Sequence, residues 1–318
     1  MKDWLLTLLK VAISVGLVLY VVTRPEIRYA DWSAIAASLR LVPWLAALAI
    51  YFVAIGLNVF KWQYLLKALD VRVSYLNLFR HNLVGLFFAN LPLSMVGADI
   101  ARGWDLARET DGAGARVAVS VVVDRLVGLG AFVVASVAGL AYAVFVLGRA
   151  DMKWLLWVVV ALLAGYMLAF ALLMSGRLRR LVEKLFLGPF ARFLPLYRRL
   201  SDAVQVYRTH ARVLAGAFAL GLATVTVTCI VNYLAAVTVG AAIPPVWAFV
   251  LTPLTSFLPF IPSIASGLGV NQSAFVILYH SLAGLLDQAT AFAMSLAMQL
   301  VIFVASLPGG VLWWRKRP

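Results

Sequence analysis

The chain has 318 residues, with 27 Lys and Arg against 13 Asp and Glu, for a formal net charge of +14; 64% of residues are apolar and 13% charged. Soluble domains run at roughly 45–50% apolar, so there is too little polar surface here to cover a globule, and the excess apolar surface must face lipid. Disordered, collagenous and nucleic-acid-reading classes are excluded in the same step, because the basic residues sit in short segments between apolar runs.

The first apolar run, residues 5–22, ends at Thr23-Arg24-Pro25 with no small-x-small cleavage site, so it predicts an uncleaved transmembrane helix. The next run, 43–60, also suffices to cross a bilayer core, which takes about 20 helical residues. Lys61 at its end reads as a snorkelling anchor. Residues 83–91 form an apolar stretch too short to cross, ending at Asn90-Leu91-Pro92. Beyond that break a helix is expected, with Ser94 as a candidate N-cap. Asp99, Arg102, Asp105 and Arg108 then recur every three residues, with Glu109 beside them.

Such a stripe lies along one helix face, where opposite charges can pair. Asp99 and Arg102, nearest the break, are read as functional: Arg102 could grip a phosphate, and Asp99 could pair with it, bind a substrate ammonium or carry a proton. Asp105, Arg108 and Glu109 are read as a solvated helix face. The run 117–147 contains Asp124-Arg125, for which substrate contact and structural ion pairing both stay open. A fourth full run covers 153–175.

The connector 176–212 is strongly basic, and 177–187 within it predicts an amphipathic helix lying on the cytoplasmic interface. The runs 213–240 and 288–312 complete six spans. Cys229, the one cysteine, lies in the first of these and reads as a small core side chain. Between them, 246–258 is again too short to cross and stops at Pro259, with Pro262 close behind. Gly267-Leu-Gly269-Val-Asn271-Gln272 follows, where glycine lets backbone approach closely and the two amides offer uncharged hydrogen bonds.

Charge sets the orientation. The basic connector and Arg315-Lys316-Arg317 belong in the cytoplasm, as does Met1, which leaves Arg24, Arg28, Arg40, Arg149 and Lys153 outside. The two short stretches must then turn back, one from each side. The fold expected is all-α and polytopic, one membrane domain over 1–318, with six full helices and two re-entrant hairpins in an inverted repeat. The first repeat is 43–147 and the second 213–312. Pro92-to-Gly97 and Pro262-to-Gly267 have the same spacing with Ser94 and Ser263 inside it. Inverted repeats broken at corresponding positions mark alternating-access transporters, with the site at the breaks. Irregular backbone survives in a bilayer only inside protein or along a wet cavity, and helix N-termini there favour an anionic group such as a lipid phosphate. ATP-binding, serine-hydrolase and metal motifs are absent from the sequence, so neither a cofactor nor a metal is expected.

Four ordered motifs carry a resemblance: Asn58-Val-Phe-Lys61-Trp62, Leu91-Pro92 through Gly97-Ala98-Asp99-Ile-Ala-Arg102, Asp124-Arg125-Leu-Val-Gly128-Leu, and Pro262 through Gly267-Leu-Gly269-Val270. Over nearly the whole chain the sequence resembles the lysylphosphatidylglycerol synthase transmembrane (flippase-like) family. The resemblance implies a bacterial or archaeal plasma-membrane protein that moves lipid between leaflets, and it points to Asp99, Arg102, Asp124, Arg125 and the Gly267/Gly269 turn. The family's aminoacyl-transferase domain does not follow Pro318, so no lipid synthesis by this chain is expected. Two departures stand out: Gly97-Ala98-Asp99 where the family often has Gly-Gly-Asp, and Asn271-Gln272 where it often has Arg-Glu.

The resulting expectation is a flippase rather than an enzyme. It would move a lipid with an anionic or aminoacylated head group, contacted by Ser94, Gly97, Asp99, Arg102, Asp124, Arg125, Ser263, Gly267, Gly269, Asn271 and Gln272. An integral-membrane lipid enzyme and a non-transporting partner of a lipid synthase are the rivals. The partner expected is a membrane lipid and not nucleic acid; a homodimer and a synthase partner stay open.

Overall fold

The computed structural model describes residues 32–90, 95–110, 112–175, 194–255, 257 and 270–315, without the side chains of 34, 95–101, 194–197, 199 and 200. The predicted span 5–22 and the amphipathic helix 177–187 lie outside the described residues. Within them the chain is helical with no strand: α1 Trp32–Ser38, α2 Leu41–Lys67, α3 Tyr75–Ala89, α4 Met95–Glu109, α5 Gly114–Phe145, α6 Lys153–Met174, α7 Leu194–Gln205, α8 Ala211–Thr238, α9 Pro245–Thr255, α10 Val270–Phe275 and α11 Gln288–Arg315. A 3₁₀ turn at Ala150–Met152 leads into α6, and a π-helical turn, Val276–Leu282, continues α10.

Five of these elements are long and apolar enough to cross a membrane, namely α2, α5, α6 with its 3₁₀ turn, α8 and α11. They coincide with five of the six predicted spans. Between α2 and α5 lie two helices of 15 residues each, α3 and α4. Between α8 and α11 lie the 11-residue α9 and α10 with its π turn; the predicted breaks between the members of each pair fall outside the described residues. At 1.5 Å per residue the longest of these helices reaches about 22 Å, short of a core about 30 Å thick.

Several boundaries differ from expectation for identifiable reasons. Helix α2 runs to Lys67 instead of stopping at 60, because Trp62, Leu65 and Leu66 are fully buried and continue its packed face past Lys61. Helix α3 starts at Tyr75, eight residues before the apolar stretch; Ser74 Oγ accepts the Asn77 N–H at 3.3 Å, and Leu78 and His81 are buried despite the polar residues around them. Helix α7 lies in the basic connector beyond the predicted amphipathic stretch 177–187, over residues for which no helix was predicted. Its Ser201 hydroxyl is buried and donates to the Leu173 carbonyl at 3.0 Å.

The chain forms two compact units. Among the described residues, unit one takes those up to Gly56, Phe79–Arg102 and those from Thr224 onward; unit two takes Leu57–Leu78 and Gly103–Ala223. In unit one the Trp44 indole donates to the Ala297 carbonyl at 3.3 Å, and Trp32 meets Phe292 edge-on at 6.1 Å. Helix α8 ends at Gly240, whose φ of +72° takes the left-handed turn that glycine adopts without strain; the Ser38 hydroxyl then donates to the Val239 carbonyl at 3.1 Å. Asp287 Oδ1 opens α11 by accepting the Thr290 N–H at 3.0 Å.

Helix α11 crosses α3 at Gly309, where an added Cβ would collide with the backbone carbonyl of Leu83. Backbone cannot give way as a flexible side chain does. Gly309→Val should therefore separate the two helices and lower the thermal midpoint of the purified protein by several degrees, an overpacking cost of about 1–3 kcal/mol; an unchanged midpoint would show that the approach is looser.

In unit two, α5 packs along α6, with the Tyr166 hydroxyl donating to the Leu126 carbonyl at 3.0 Å. The Arg116 guanidinium donates to the Leu69 carbonyl at 3.1 Å, which fixes the turn after α2 against the start of α5.

Candidate functional site

The polar side chains buried among these apolar helices are the natural candidates for function, since ionisable groups at membrane depth are costly and must face an interior or a cavity. Each unit holds several of them.

Unit one holds Arg102. Its helix, α4, begins directly after the first predicted break, and the residue is only 5% exposed. Its Nη1 donates to Asn82 Oδ1 on α3 at 3.1 Å, so the amide holds the guanidinium plane in one orientation. The same unit contains the residues after the second predicted break. Asn271 Nδ2 reaches Gln299 Oε1 on α11 at 3.5 Å, and Gln272 is buried at 2% exposure. Thus α3 from Phe79, α4 as far as Arg102, α9 and α10 share one compact unit although Arg102 and Gln272 stand 170 residues apart in the sequence. Gly97 and Asp99 belong to α4, but their side chains lie outside the described residues, as do Ser94, Ser263, Gly267 and Gly269.

Unit two holds an ion pair. Lys61 Nζ lies 3.1 Å from Asp124 Oδ1, with the two side chains 5% and 4% exposed. This corrects the expectation for Lys61: it is not a snorkelling anchor but a buried charge on the inner face of α2, because that helix continues another turn and a half beyond it. The pair is walled by specific contacts. The Trp62 indole donates to Ser120 Oγ at 3.0 Å, and a Cβ on Gly128 would stand 3.4 Å from Lys61 Nζ. Tyr207, in the turn after α7, donates to the Leu65 carbonyl at 3.0 Å; burial pushes its phenol well above the ordinary value, and the negative Asp124 adds to the shift.

Asp124 and Arg125, adjacent in sequence, therefore part company: Asp124 is buried against Lys61, and Arg125 on the other side of α5 is exposed. The ion pairing that the sequence analysis weighed for Asp124 beside substrate contact is present, with Lys61 as the partner. Further along α4, Asp105 is half-buried and Arg108 and Glu109 are exposed, as a solvated face requires. Arg108 lies over the Trp104 ring at 5.6 Å, and Glu109 accepts from Asn77 Nδ2 at 2.9 Å.

Sequence reasoning missed Lys61 and Tyr207 as members of a buried polar group. It also missed Asn232, Thr252 and Tyr279, which are buried at 3%, 1% and 0% exposure. A signal for Lys61 was present in the Trp62-x-x-Leu65-Leu66 continuation of the apolar stripe. Asn232 is a lone amide in a long apolar run, which is itself a signal.

The chain matches the family described as the lysylphosphatidylglycerol synthase TM region over residues 7–309. No curated protein matches the chain.

Proposed function

The chain belongs to the lysylphosphatidylglycerol synthase transmembrane-region family, and from that premise we propose that it is a lipid flippase, moving a lipid with an anionic or aminoacylated head group across the plasma membrane. What carries this reading is Arg102, a guanidinium buried in an apolar membrane protein, in the unit that also holds α9, α10 and most of α3. The Arg102 Nη1 donates to Asn82 Oδ1, which fixes the plane of the guanidinium, and a planar fork held in one orientation suits the bidentate recognition of a lipid phosphate.

In this reading the helix–break–helix segments α3–α4 and α9–α10 are re-entrant hairpins that enter from opposite sides, as the Lys and Arg distribution implies, with both termini cytoplasmic. Their free helix N-termini, with Ser94, Gly97, Asp99, Ser263, Gly267, Gly269, Asn271 and Gln272, border the chamber for the head group. The acyl tails stay in the bilayer while the head group passes from one opening to the other. Transport rather than head-group chemistry is proposed because Arg102, oriented by Asn82, and the amides of Asn271 and Gln272 are groups suited to holding a head group.

The test is leaflet exchange in proteoliposomes. Fluorescent or aminoacyl phospholipid placed in one leaflet should become accessible in the other, chemically unaltered, faster than in protein-free vesicles. Altered head groups without movement would favour an integral-membrane enzyme, and neither change would favour a partner role beside a lipid synthase.

A further inference from the structure

Unit one contains a second polar cluster that the lipid reading does not use. Asn232 on α8, Thr252 on α9 and Tyr279 in the π turn are each more than nine-tenths buried, and Asn232 Oδ1, Thr252 Oγ1 and the Tyr279 hydroxyl have no hydrogen-bond partner among the described residues. Thr252 lies beside both Tyr279 and Cys229, close enough for its hydroxyl to interact with each. Cys229 and Asn232 stand three residues apart on α8 and so share a face. Buried polar atoms without partners are rare in folded proteins, and each costs about 1–3 kcal/mol. Three oxygens from three elements, left so in one compact unit, point to something that completes them.

The chemistry narrows what that is. Asn232 Nδ2 donates to the Thr228 carbonyl at 3.1 Å, which orients the amide and leaves its oxygen, an acceptor only, aimed away from that bond. The occupant must therefore present a donor or a positive charge. Every ligand atom is a neutral, hard oxygen, which disfavours calcium and magnesium, whose sites are built around carboxylates. A lone thiol without histidine disfavours soft metals. The backbone is interrupted on two sides as well: Pro253 within α9 has no N–H to give the Phe249 carbonyl, and the chain winds as a π turn through Val276–Leu282. The carbonyl that Pro253 leaves without its helical donor is the kind of backbone oxygen that membrane transporters use for alkali cations, whereas those of Leu278, Tyr279 and His280 accept from the N–H groups of residues 283–286.

We propose that unit one holds a monovalent-cation site, of sodium chemistry, ligated by Asn232 Oδ1, Thr252 Oγ1 and the Tyr279 hydroxyl, with backbone carbonyl oxygen of α9 completing the shell. The cation would pull α8, α9 and the π turn together and so couple cation binding to the packing of the second hairpin.

The experiment is thermal unfolding of the purified full chain in detergent, at constant ionic strength, with choline chloride replaced stepwise by sodium, lithium or potassium chloride. Sodium should raise the midpoint saturably by several degrees and choline not at all. Thr252→Val and Tyr279→Phe each remove one oxygen and little volume, and each should raise the half-saturating sodium concentration by about tenfold. Cys229→Ala, which removes no oxygen from the site, should titrate like the unaltered protein. Equal midpoints in sodium and choline would overturn the proposal, leaving the cluster a water-filled polar pocket. So would a Cys229→Ala shift as large as that of Thr252→Val, since packing would then explain both. Should either oxygen-removing variant fail to fold, the cation selectivity of the unaltered chain still decides. No lipid movement enters the measurement, so its failure leaves the lipid reading standing, and failed lipid exchange leaves the cation site standing.

Discussion

Replacing Asp124 by alanine should cost about 3–5 kcal/mol of stability, because it leaves the Lys61 ammonium buried at 5% exposure with its anionic partner gone. Lys61→Met should cost a similar amount by stranding the carboxylate. The double variant Lys61→Met, Asp124→Leu should recover most of the loss, since two apolar side chains of comparable size need no compensating charge. Equilibrium unfolding in mixed detergent micelles would read all three. Single variants costing under about 1 kcal/mol would mean that water reaches the pair and screens it. The double variant also separates architecture from function: if it is stable and exchanges lipid normally, the pair is a structural clamp between α2 and α5. If it is stable and inactive, the charges themselves take part.

Arg102→Ala should slow lipid exchange in proteoliposomes by about 10–100-fold, the equivalent of losing charge-assisted hydrogen bonds worth about 1.5–3 kcal/mol. Arg102→Lys should fall between, because it keeps the charge and loses the planar fork. Asn82→Ala should have a smaller effect of the same sign, since the amide orients the guanidinium at 3.1 Å without carrying charge. Folding should be confirmed by thermal unfolding before rates are compared. Exchange unchanged in Arg102→Ala would remove the proposed phosphate contact, whatever the fate of the ion pair in unit two.

Much of the membrane architecture was legible before any coordinates. The five apolar helices fall where hydropathy placed them, and α3 and α9, too short to cross, fall over the two stretches that their length had marked; the prolines predicted to break the chain at 92, 259 and 262 lie outside the described residues. Helix ends were less legible. Burial of Trp62, Leu65 and Leu66 outweighs the charge at Lys61 and carries α2 to Lys67; burial of Leu78 and His81 carries α3 back to Tyr75. Rules that read a lysine after an apolar run as a membrane boundary assume that the helix face beyond it meets water. Here that face meets protein.

The same distinction separates the parts of the candidate site. Composition and the spacing of Pro, Gly and charge determined by themselves that the chain is a helical membrane protein, where its long helices run and that Arg102 merited attention, because these depend on transfer between water and lipid and on local backbone geometry. Which charges are paired was decided only by tertiary structure: Asp124 turns to Lys61, 63 positions away, while its neighbour Arg125 faces outward. Asn232, Thr252 and Tyr279 gained meaning likewise, through the packing of α8, α9 and the π turn within one unit. The energy of a buried polar group depends on what stands within about 3 Å of it, and for residues distant in sequence that proximity is set by the packing of whole helices, not by any local run of residues.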